Sequence, residues 1–262
     1  MIGPTPLFDF FKRGEAARDV RLLAAQGALA PRAHEQLAIL ILLLDDPDPE
    51  IRSTADQTLN RIPEEAIKGF LARSDVSADT LEFFADRGVF PASIPLVEVD
   101  DPLIDTSPDV EVEPAEAGED APAREGTSQR LAKMTFPERL KAAVKGTKEM
   151  RAILIRDPNK MIAASVLSSP KLSDKEVETF SRMANVSDDV LRIIGSNRAW
   201  TKNYSVIVGL TKNPKTPVAM SMNFLARLSV RDLGLLAVDR NVAEPLRVAA
   251  RKKVAAGAKD KD

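Results

Sequence analysis

Four short polar signatures recur at one fixed interval in the second half of this 262-residue chain: Asp157-Pro158, Asn185-Val186, Asn213-Pro214 and Asn241-Val242, each 28 residues after the one before. Three apolar columns keep the same register. Five positions after each signature stand Ile162, Val190, Val218 and Leu246; fifteen after the first three stand Leu172, Trp200 and Leu228; twenty-three after stand Phe180, Val208 and Leu236. A fixed period of this size marks a repeat architecture. Asp or Asn before Pro resists the helical conformation, its side chain can accept an orphan N–H of a first turn, and Pro has no N–H to lose. Each signature is therefore expected to start a helix, near Pro158, Val186, Pro214 and Val242, with intervening helices near Ser173, Thr201 and Ser229. Two helices of roughly ten residues fit in one unit, and a pair that short buries its apolar face only by stacking on its neighbours.

Alternate units match more closely at 56 residues: RDPNKMIAASVLSSPKLSDKEVETF aligns with KNPKTPVAMSMNFLARLSVRDLGLL. The first third repeats the theme in DDPDPEIRSTA, IPEEAIKGFLA and DVSADTLEFF. Aromatic residues are 5% of the chain while apolar residues are 44%, mostly Ala, Leu, Val and Ile, a mixture suited to close-packed helices rather than a β-sandwich. The expected fold is all-α, a solenoid of short helix pairs in 28-residue units. In DPDPEIRSTA, NPKTPVAMSMNFLARLS and DVSADTLEFFADR, where a turn with Asp or Asn leads into an amphipathic helix, the sequence resembles the bacterial leucine-rich-repeat-variant and HEAT-like helical repeat families. That resemblance implies a superhelical platform that binds proteins or, in some HEAT-like members, nucleic acid.

Between Pro91 and Arg130 the helical pattern stops. Residues 98–129 carry 11 acidic groups and one basic group, Arg124. A segment so poor in apolar clusters cannot offset its own ordering entropy, so it reads as a disordered acidic linker. The expected organisation is an N-terminal helical domain over 1–92, a linker over 93–130, a C-terminal helical domain over 131–256 and a frayed tail over 257–262. Charge is split along the chain: residues 1–129 hold 11 Lys/Arg against 26 Asp/Glu, and residues 130–262 hold 26 against 13. Tethered beside a domain of opposite sign, the linker reads either as an intramolecular competitor, lying part of the time over basic stripes in diffuse, salt-sensitive contacts, or as a solubilising spacer.

Catalytic machinery is not legible. Without cysteine, thiolate metal sites, disulfides and cysteine nucleophiles are excluded. No phosphate-binding GxxxxGK[ST] motif occurs. The single histidine, His34, reads as a partly exposed helix-surface residue. Asp46, Asp48 and Glu50 lack the glycine and the terminal Glu of a calcium loop. No catalytic residue, metal site or cofactor is expected. The longest apolar run, Leu37 to Leu44, is too short to span a bilayer, and the N-terminal segment does not read as a signal peptide; a cytoplasmic location is expected.

The candidate binding residues are basic and aromatic. Arg156, Lys212 and Arg240 each precede a signature, and Lys171/Arg227 and Lys175/Arg231 match at 56 residues, so equivalent positions are expected to form stripes. Trp200 and Tyr204, flanked by Arg198 and Lys202, are either core residues or aromatic anchors. The leading expectation is a non-enzymatic scaffold or adaptor for a protein or peptide. The alternative is nucleic-acid or polyanion binding by the basic half.

Overall fold

The computed structural model describes residues 6–95, 101–107 and 126–259. Among these, every regular element is helical and no strand occurs. No helix among the described residues is long and apolar enough to cross a membrane. The chain divides into two compact units, residues 1–172 and 173–262.

The first unit holds α1 (Pro6–Lys12), α2 (Arg18–Ala25), α3 (Ala33–Leu43), α4 (Pro49–Arg61), α5 (Glu64–Leu71) and α6 (Ala78–Ala85), and then α7 (Thr127–Lys133), α8 (Phe136–Lys145), α9 (Lys148–Leu154) and α10 (Lys160–Val166). Here the organisation departs from the sequence-based boundary, which separates 1–92 from 131–256. Helix α1 packs on both α3 and α10, and α2 packs on α4 and α8. Buried Glu35 of α3 accepts the backbone N–H groups of Leu7 (2.7 Å) and Phe8 (3.0 Å), a carboxylate placed where α1 has orphan donors. Burial pushes the Glu35 carboxyl above its ordinary range, opposed by those hydrogen bonds and by the nearby Arg32 charge. Composition along a window reports whether a segment can bury surface by itself; it does not report that distant helices complete one core.

The second unit holds α11 (Asp174–Arg182), α12 (Asp188–Ser196), α13 (Tyr204–Lys212), α14 (Val218–Phe224), α15 (Val230–Val238) and α16 (Glu244–Lys259), with single 3-10 turns at Trp200–Lys202 and Leu225–Arg227. Here α11 packs on α13, α14 on α16, and α15 on α16. The expected frayed tail is helical as far as Lys259; residues 260–262 lie outside the described residues.

The signatures act one step earlier than expected. Helices start at Lys160, Asp188, Val218 and Glu244, two to four residues after the predicted positions. Asp157 and Asn213 instead close a turn: the Asp157 carboxylate accepts the N–H of Asn159 (2.8 Å), and the Asn213 side-chain oxygen accepts that of Lys215 (3.0 Å). Capping falls to the next polar residue, Asn159 for α10 and Ser187 for α12. Ser173 and Ser229 cap α11 and α15 near the expected starts, whereas the 3-10 turn after Ala199 delays α13 to Tyr204, capped by Asn203.

Ile162, Val190 and Leu246 are buried, but Val218 is 39% exposed. Helix α14 begins at Val218 itself, so its inward face falls on Ser221 and Phe224. Leu172, Trp200, Leu228, Phe180 and Leu236 are buried; Val208 is half-buried because Ile207 and Gly209 take the inner positions.

Candidate interaction surfaces

Of the predicted basic positions, Arg156 and Lys171 belong to the first unit and the rest to the second. Arg156 is exposed and its Nε donates to the Ala152 carbonyl (3.1 Å). Lys171 is exposed, and its carbonyl accepts from buried Arg151 (3.1 Å). In the second unit, Lys175, Arg198, Lys202, Arg231 and Arg240 are exposed and form no ion pair among the described residues. Arg227 donates from Nη2 to the Thr201 carbonyl (2.6 Å), and Lys212 lies 3.6 Å from the Asp232 carboxylate. Residues 173–262 hold 16 Lys/Arg against 10 Asp/Glu, while residues 1–172 hold 21 against 29. The basic excess of the second half is therefore shared between the units, and part of it sits in the core of the acidic one.

Trp200 is 7% exposed and belongs to the core, so it is not half of a surface aromatic pair. Tyr204 is exposed, but its hydroxyl donates to Asp232 (2.6 Å) and accepts the N–H of Ser229 (2.9 Å). With the Ser229 hydroxyl (2.8 Å) and Lys212 adding to the Tyr204 bond, the Asp232 carboxyl is held below its ordinary range. Tyr204 thus braces the start of α15.

The acidic turn DDPDPE is engaged by arginines. Asp46 accepts from Arg21 (2.8 Å), Asp48 from Arg18 (2.7 Å), and Glu50 from Arg18 (2.5 Å). The turns at Asp46, Asp157 and Asn213 share one device that sequence reading missed. Asp157 accepts from Arg139 (2.7 Å), and the Asn213 amide donates to the Ser181 and Met183 carbonyls (3.0 Å each). In each case the turn residue is tied to an earlier helix of its own unit. Among the described residues no group of three His, Asp or Glu is placed to hold a metal ion. His34 is half-buried rather than on an open helix face; burial, with the Arg32 and Arg73 charges nearby, pushes its pKa down to about 4.

The arrangement with most binding character lies within the first unit, on part of the expected linker. Residues 101–107 are ordered against the α2–α3 connection and α8. Gln36, 3% exposed, accepts the N–H groups of Leu103 (2.8 Å) and Ile104 (3.1 Å) and donates to the Ile104 carbonyl (2.5 Å). Lys145, also 3% exposed, places Nζ 2.6 Å from the Asp105 carboxylate and donates to the Ser107 carbonyl. Thr106 donates from its hydroxyl to the Gln26 carbonyl (2.6 Å), and the Ser107 hydroxyl donates to that of Ala28 (3.0 Å). Gly27 has φ +74°, and a Cβ there would stand 3.3 Å from Ile104 and 3.4 Å from Thr106. This part of the linker is a docked strap, not a diffuse tether. Side-chain amide and buried ammonium partners more than 30 residues distant supply what its own composition lacks. The rest of the linker's central stretch, residues 96–100 and 108–125, lies outside the described residues.

No family model, curated protein or solved structure matches the chain.

Proposed function

We propose that this chain is a non-enzymatic interaction module: a helical-repeat scaffold or adaptor, acting in the cytoplasm, whose partners are proteins or extended peptides. The 28-residue period supports reading its helices as solenoid units, in keeping with the resemblance to leucine-rich-repeat-variant and HEAT-like proteins. The observation that carries the reading is the mode in which residues 101–107 are held. Two buried polar side chains, Gln36 and Lys145, grip a non-helical stretch of polypeptide, as a peptide-binding platform does. The carboxylates that sequence reading weighed as a calcium loop, Asp46, Asp48 and Glu50, are engaged by Arg21 and Arg18.

A second reading, polyanion or nucleic-acid binding, rests on Arg198, Lys202, Arg231 and Arg240, which stand exposed and form no ion pair among the described residues, in a unit of net positive charge. Phosphate contacts release counterions, so such binding weakens steeply with salt. The two are separated by capturing partners on the intact chain with and without nuclease and with the four residues reversed to Glu. The scaffold reading expects a protein partner that survives nuclease. Loss of all capture on nuclease treatment, with micromolar binding of mixed duplex DNA that fades as salt rises, would establish the second reading instead.

A further inference from the structure

We propose that the cleft between the α2–α3 connection and α8 is a binding site for a short acidic peptide segment of another protein, and that residues 102–107 are its resident, displaceable occupant. The inference rests on the reading of this chain as an interaction module and names the chemistry of one partner.

Three features define what the cleft recognises. Gln36 uses both ends of its amide on main-chain groups, the N–H groups of Leu103 and Ile104 and the carbonyl of Ile104. Because one Gln36 oxygen accepts two successive N–H groups, this contact selects a bent backbone conformation rather than a sequence. Lys145 sets the charge requirement, since its buried ammonium meets a carboxylate at Asp105 and a carbonyl at Ser107. A buried ammonium favours an anionic occupant over a neutral one because a counter-charge stabilises it in a low-dielectric site. The α2–α3 connection supplies the third feature, a row of backbone carbonyls at Gln26, Gly27 and Ala28 that accept from Thr106 and Ser107. That connection is held in uncommon backbone geometry: Gly27 has φ +74°, and Ala30, which carries a Cβ, has φ +44°. Left-handed backbone at a residue other than Gly costs free energy and concentrates at ligand clamps.

The occupant lies at the surface and has no regular structure of its own. Residues 101–107 form no helix or strand, and Asp101, Asp105 and Thr106 remain exposed by residue. Its neighbours in sequence are acidic, and residues 130–172, which include Lys145, hold 10 Lys/Arg against 3 Asp/Glu. The pattern that fits is two aliphatic residues followed by Asp and two hydroxyl residues, as in Leu103 to Ser107. A tethered copy of this pattern competes with any partner at high effective concentration, so binding from outside requires its release.

The test uses the full chain with residues 101–107 replaced by seven Gly and Ser residues, its fold checked by circular dichroism. The probe is a fluorescent peptide of residues 99–109, VDDPLIDTSPD. The expected result is saturable binding that is at least tenfold tighter than to the intact chain, and that falls at least tenfold when Lys145→Ala is added or when Asp105 of the peptide is changed to Asn. A folded replacement variant that does not bind the peptide, or that binds it no better than the intact chain, overturns the proposal. If the replacement does not fold, amide exchange on the intact chain decides. A displaceable occupant requires the Leu103 and Ile104 N–H groups to exchange at least tenfold faster than that of Leu40 in α3, and equal rates overturn the proposal. Failure of the peptide to bind while a protein partner is still captured by the chain refutes the inference alone.

Discussion

The two units solve the problem of buried polarity differently. The first brings Glu35, Gln36, Asp46, Lys145 and Arg151 inside, and each holds backbone or side-chain groups supplied by another part of the chain. In the second, Glu176 is the one charged residue in the core among the described residues, and it closes a capping box with Ser173, three residues away. Among that unit's buried polar side chains, Asn213, a neutral amide, donates to carbonyls 32 and 30 residues back. The difference follows from construction. Successive similar helices satisfy their ends locally, by caps and turns. The first unit's buried polar groups reach partners 20 or more residues away, and two of them, Gln36 and Lys145, hold the strap.

The sharpest way to break this contrast is Glu35→Ala. It leaves the Leu7 and Phe8 N–H groups buried without their acceptor, and the expected loss is about 4 kcal/mol, read by urea denaturation followed by circular dichroism. A loss below about 1 kcal/mol would mean that α1 does not depend on this contact.

Acid should act through the first unit. His34 has a folded-state pKa of about 4 against an ordinary 6.5, so folding favours its neutral form. That contribution is complete above pH 6.5 and is lost as pH falls toward 4, about 3 kcal/mol in all. Glu35 opposes it: its raised pKa favours the protonated form on folding, a contribution present at low pH and lost as pH rises through the folded value. His34→Gln should therefore remove the acid-side loss, and Glu35→Gln should steepen it. Denaturation midpoints measured between pH 7 and pH 4 check both signs.

In the second unit, Asn213→Ala should cost about 2 kcal/mol, because the Ser181 and Met183 carbonyls lose a buried donor. Smaller still, Val218→Ala should cost less than about 0.5 kcal/mol because the side chain is exposed, whereas Ile162→Ala, fully buried in the other unit, should cost about 3 kcal/mol. Equal effects at the two positions would restore the uniform 28-residue column.

These last positions show what sequence could and could not supply. The helices and their rough starts were legible because caps and apolar period are local. The phase of each start was not, because an Asp or Asn before Pro can either cap a helix or close a turn before it, and Asp157 and Asn213 do the second. Trp200 followed its apolar column into the core. The strap was hidden because Gln36 and Leu103 are 67 residues apart in sequence, and neither carries a pattern that names the other. The exposed cations of the second unit were legible as residues, though their division between two units was not.

Cross-linking mass spectrometry of the complex captured on the intact chain tests the central claim, that this is a protein-binding module, most directly. The account predicts cross-links from a protein partner to exposed lysines of the first unit, Lys133, Lys148 and Lys171, and their persistence after nuclease treatment. A captured complex that dissolves on nuclease treatment, with no partner peptide linked to these lysines, would contradict it.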